Sequence, residues 1–191
     1  PQRTLTAPYS DALRSQKLRG GIAAVSLLTA GGLAQRMVEL FWPLVAEQAG
    51  FADPNRAPAF LTLETAQYTM ARLVRPLLEH DGLFQSLTID RNRLYSQIID
   101  NLNKAALVGF PHTEIGERLQ AAAMGEPAQT NVFADAQRCA TLFRQHCLAH
   151  NLLDFSLQVE LFWQHVWPLV GCRRHLTATY RHLIYDNVEE D

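Results

Sequence analysis

No run of the roughly 18 or more apolar residues that a membrane-spanning helix needs occurs in this chain, so no membrane partner is expected. Its polar first residues, PQRTLTAPYSD, hold no signal-peptide core. Cysteine is scarce: Cys139, Cys147 and Cys172 are an odd number without a CxxC spacing. They suggest neither a disulfide framework nor a zinc site, and a reducing, cytoplasmic setting is the simpler expectation. There is no GxSxG elbow, which sets aside a Ser-His-Asp hydrolase of that kind. There is also no GxxxxGK[ST] loop to cradle phosphates. The formal net charge is -2, so no overall basic field announces nucleic acid. One basic face, or basic neighbours outside the sequence, would leave that sum unchanged. Repeats and low-complexity tracts are absent.

What is present is the balance of a globular chain. Of 191 residues, 48% are hydrophobic and 19% charged, enough for one good-sized core. The chain starts at Pro1 and ends on acids that follow an apolar, strand-like run, and it is expected to be a piece of a longer protein.

Helical spacing dominates. Leu33, Met37, Leu40, Phe41, Leu44 and Val45 stripe one amphipathic helix, which Pro43 should kink. GFADPNRAP then reads as a loop. Thr62 caps a helix striped by Met70, Leu73, Val74 and Leu77, and Pro76 should bend it or end it early. A third runs over about 90–107 on Leu94, Ile98, Leu102 and Ala105, stopped by Gly109 and Pro111. A short one covers TEIGERLQAAAM. Val132, Ala136, Ala140, Phe143 and Cys147 stripe the fifth, and Phe155, Val159, Phe162 and Val166 the sixth, with Asp154 as its N-cap. Only 22–28 and 182–186 read as short strands. The fold expected is mainly α.

Three segments in order carry a resemblance: VSLLTAGGLAQRMVELFW from Val25, CLAHNLLDFSLQVELFW from Cys147, and the closing YRHLIYDNVEED. Thr29, Leu33 and Ala34 fit a Thr-Phe-His-Ser-Leu-Ala-like segment. Asn151, Leu153, Asp154 and Phe155 fit an Asn-x-Leu-Asp-Phe-like one, and Asp186 is the first acid of an Asp-Glu-x-Gln-Asp-like strand end. In this order they resemble the UvrD/Rep-type superfamily 1 DNA helicases. The resemblance implies the helical subdomain of such a helicase, with short strand remnants of the RecA-like ATPase sheet at both ends. Residues 1–34 would end an N-terminal piece of the ATPase subdomain, 35–175 would be the helical 1B-like subdomain, and 176–191 the returning strand with a Walker B-like segment. It further implies ATP and magnesium in the full-length parent, with Asp186 as the magnesium carboxylate. The implied partner is DNA, single-stranded or at a duplex junction; the contacts expected are Thr29, in the first matching segment, and Arg173 and Arg174, in the densest basic spot of the chain. The chain departs from the family where chemistry is done. Asn187 stands where the family has the glutamate that deprotonates the attacking water, and an amide cannot take that proton. Glu189 replaces a nucleotide-sensing glutamine, and Ala30 and Gly31 replace the aromatic and histidine of the first segment. The piece is therefore expected to contribute to DNA binding without hydrolysing ATP. Its parent is either an ATP-dependent helicase or a degenerate, non-hydrolysing DNA-binding or protein-interaction scaffold. If its end strands are exposed, they would pair copies of the chain with each other.

The remaining constellations each have two readings. His146 and His150, one turn apart beside Cys147, could share a metal, or could simply end a helix, since no third ligand can be assigned. His165, His175 and His182 are too scattered to form a site. CRRH, with Arg173 and Arg174, could touch a phosphate backbone together with Arg181, or be a solvated loop near a helix C-terminus. Trp42, Trp163 and Trp167 could stack on unpaired bases, or pack in the core as tryptophans beside apolar stripes commonly do. The closing acids could likewise be a solvated run with no nucleotide chemistry, in an unrelated all-α binding module.

Overall fold

The computed structural model describes residues 26–123 and 130–184. Within them the chain is mainly helical: α1 (Ala30–Val45), α2 (Leu63–His80), α3 (Arg91–Val108), a 3-10 turn (His112–Glu114), α4 (Ile115–Ala122), α5 (Thr130–Ala149), α6 (Phe155–Leu161) continued by a π-helical segment (Phe162–Val166), and α7 (Val170–Thr179). No helix among the described residues is long and apolar enough to cross a membrane.

The helix starts follow side-chain chemistry. Thr29, Thr62, Asp90 and Asp154 each hold extended backbone and accept an amide from the first turn, which satisfies donors that the helix itself cannot. Gly109 ends α3 in the left-handed conformation, at φ 84°, where a side chain would be strained. Neither proline ends its helix: α1 continues through Pro43, and α2 continues through Pro76 to His80. Each proline deletes one amide, but both lie on exposed faces and within a turn or so of the helix end, where packing of the opposite face holds the helix together.

Those faces build one core, in which Met37, Met70, Leu102, Phe143 and Leu161 are fully buried. α1 packs on α6 and its π extension, α3 on α6, α2 on α3 and α5, and α4 on α5. The apolar stripe of α1 is wider than its buried face: Leu40 and Leu44 point outward.

The strand expectations are not met in the part of each run that is described. Residues 26–28 and 182–184 carry no strand, and the rest of the runs at 22–28 and 182–186 lies outside the described residues. Copies pairing through those strands thus find no edge in the described part of either. The sheet that does form is internal. β1 (Ala59–Phe60) and β2 (Leu152–Leu153) pair in parallel, with Ala59 opposite Leu152. The amides of Ala59 and Leu61 donate to the Asn151 and Leu153 carbonyls at 2.8 Å. Two residues per strand leave no alternation to read.

Candidate functional site

The first two family-like segments, more than a hundred residues apart in sequence, lie against each other. Thr29 Oγ1 accepts the Gly32 amide at 2.9 Å, opening α1. One residue into that helix, Gly31 lies under Phe155: a Cβ there would come within 2.9 Å of the ring. The Gln158 amide donates to the Gly31 carbonyl at 2.7 Å. Gly31 therefore stands where α6 needs close approach, which accounts for a glycine at a position where the resemblance would put a side chain.

The second segment is held by polar contacts beneath the surface. Asn151 adopts the left-handed conformation, φ 52°, and is 3% exposed. Its amide donates to the Asp53 and Arg56 carbonyls, tying the 50–58 loop to the start of β2. Asp154, 1% exposed, caps α6 by accepting the Ser156 and Leu157 amides, both at 3.2 Å. It also faces the Arg144 guanidinium at 3.3 Å, and Arg144 reaches Ser156 Oγ and a Glu160 oxygen, both at 3.0 Å. His112 Nδ1 lies 3.7 Å from the other Glu160 oxygen, an ion pair once the imidazole is protonated but too long for a hydrogen bond. Burial alone would raise the Glu160 pKa. His112, the Arg144 guanidinium and His165 outweigh it and hold the carboxyl below its usual value of 4.5. This network was not legible beforehand, because Arg144 sits on a different helix from both its acids. The signal that existed was an arginine in the apolar stripe of α5, one residue after Phe143.

Arg173 and Arg174 are not in a loop. They lie on α7, exposed, and neither joins an ion pair among the described residues. α7 runs antiparallel to α1, since Arg36 donates to the Tyr180 hydroxyl at 3.2 Å while Phe41 meets Gly171 and His175. By helical rise this sets Thr29 roughly 20 Å from the arginine pair along the two axes, so the three expected DNA contacts do not form one cluster. Asp186, Asn187 and Glu189 lie outside the described residues.

The tryptophans divide. Trp42 is core, its indole N–H donating to the Pro54 and Arg56 carbonyls. Trp163 and Trp167 are 54% and 40% exposed, against the packing expected of them. Trp163 lies within the π-helical segment and Trp167 directly follows it, its amide closing the segment on the Phe162 carbonyl at 2.7 Å. Pro168, unable to donate, stops the helix there.

The histidine pair stacks with ring centroids 4.1 Å apart, and Arg72 Nη2 sits 3.4 Å from His146 Nε2. Burial, His150 and Arg72 all lower the His146 pKa. Cys147 points away into the core, and no group of three His, Cys, Asp or Glu among the described residues could hold a metal ion. Burial pushes the Cys139 and Cys147 thiols up to about 12, so neither is a ready nucleophile. An open depression between α2 and α5, lined by Leu77, Arg138, Thr141, Leu142 and Gln145, includes no residue of the two segments. Compared with protein-family models, with curated proteins and with solved structures, the chain matches none.

Proposed function

We propose that this chain is the helical, 1B-like part of a UvrD/Rep-like, ATP-dependent DNA helicase, contributing to DNA binding and not catalytic on its own. The observation that carries the reading is the meeting of Gly31 with Phe155 and Gln158. A helical insertion must leave its host subdomain and return to it at nearly the same place. The two segments that resemble the flanks of such an insertion are in contact, and Arg36 and Tyr180 extend that contact along α1 and α7.

In this reading Arg173 and Arg174 give phosphate contacts. Thr29 gives another, because a hydroxyl that accepts the Gly32 amide still has its own proton to donate. ATP and magnesium belong to the parent, with Asp186 as the metal carboxylate and Glu189 near the nucleotide. The test is binding of a labelled forked duplex with a single-stranded arm, followed by anisotropy over a salt series. The natural chain should bind, and Arg173→Ala/Arg174→Ala should weaken binding and reduce the salt slope by about two. No binding to single-stranded, forked or duplex DNA at low salt would sink the reading.

A second reading rests on Asn187, an amide at the position of the general base: a degenerate, non-hydrolysing scaffold for DNA or protein. DNA-stimulated ATP turnover by the natural full-length protein would exclude it. Turnover only after Asn187→Glu would favour it.

A further inference from the structure

Resting on the DNA-binding reading above, we infer that Trp163 and Trp167, with Arg173 and Arg174, form a platform for single-stranded nucleic acid, the indoles stacking on unpaired bases and the arginines holding phosphates. Three independent observations converge on it. The first is geometric. The two indoles lie 5.9 Å apart at 67°, edge to face, and both rest on the buried Phe162 ring at 5.3 and 6.1 Å. That support fixes their orientation while leaving much of each ring in water, an arrangement costly for apolar surface unless something covers it.

The second is the backbone. π-helical turns are rare and concentrate at functional sites, and this one contains Trp163 and ends at Trp167. The third is charge. Residues 161–185 hold no aspartate or glutamate, but three arginines, Arg173, Arg174 and Arg181, in a chain whose formal net charge is -2. The acid nearest in sequence among the described residues, Glu160, turns inward to Arg144 and His112. An exposed aromatic pair followed closely in sequence by exposed arginines suits a polyanion with exposed bases better than it suits an apolar protein face. Five residues separate Trp167 from Arg173, with a helix start between them, which puts rings and guanidinium groups within the span of a few nucleotides.

The experiment titrates the 191-residue chain with an oligothymidylate about ten nucleotides long and with an abasic phosphodiester of the same length. Stacking should quench the exposed tryptophans while buried Trp42 stays silent, and the abasic strand should bind more weakly. Trp163→Ala and Trp167→Ala should each weaken thymidylate binding about tenfold and bring it toward the abasic value, whereas Trp163→Phe should retain most of the preference. Both indoles are exposed, so circular dichroism should confirm folded variants. If the alanine variants bind thymidylate as tightly as the natural chain, the platform is excluded while the DNA-binding reading stands. If no strand binds, that reading falls and the platform with it. If the variants change only self-association in sedimentation, the surface belongs to a second copy and the inference is overturned.

Discussion

Asn151 shows how much one side chain can carry in this protein. It occupies a backbone conformation that few residues with a Cβ accept, and its amide closes the 50–58 loop through two carbonyls. Asn151→Gly should keep the backbone and lose the hydrogen bonds, costing about 2 kcal/mol; Asn151→Ala should add about 1 kcal/mol of left-handed strain. Urea unfolding of the two variants separates the terms, and equal losses would remove the strain from the account. Glu160 is the residue that links the interior to pH. Its carboxyl is held below the usual 4.5, so the stability it contributes is complete above that value and is lost as pH falls through the lower, folded value. Melting temperatures taken downward from pH 5 should therefore fall less steeply in Glu160→Gln than in the natural chain. Parallel slopes would mean that the acid limb belongs to other carboxylates. At this scale the sequence was readable where a residue acts locally, as Thr62 and Asp154 do in capping. It was opaque where a residue acts across the fold, as Arg144 does between α5 and α6.

Among the elements, six helices were legible because their buried faces repeat at helical spacing: Leu94, Ile98, Leu102 and Ala105 do so along α3. α7 was misread because it buries only Cys172 and carries a glycine and two exposed arginines, so no stripe marks it. The early end considered for α2 at Pro76 did not occur for a related reason, since local propensity was weighed without the packing that overrides it. Pro76 lies in α2 with its ring exposed, and the Arg72 carbonyl lacks the amide that another residue would supply. Pro76→Ala should restore that bond without opening a cavity and raise stability by about 1–3 kcal/mol. A lower melting temperature in this variant would show that the ring makes a contact the helix needs. The β1–β2 pair was beyond reach from sequence for a different reason: two residues show no period, and the partner strand lies far along the chain.

At the scale of the whole molecule, charge and exposure are distributed unevenly. An even net charge hid a stretch without acids, and the apolar periodicity of α1 and of residues 155–166 did not distinguish a side chain that is buried from one left in water, such as Leu44 or Trp163. Periodicity reports which residues share a face and says nothing of what lies opposite. The contact between Arg36 and Tyr180 has a practical meaning of its own. Because the polypeptide between them starts and finishes at neighbouring points, residues 36–180 could be transplanted into a surface loop of an unrelated host without prising that loop apart. Such a chimera should keep the host's melting transition within a few degrees and show a second, helical one. A host that unfolds on receiving the graft would mean that the two points are held together by the flanking chain and not by the body between them.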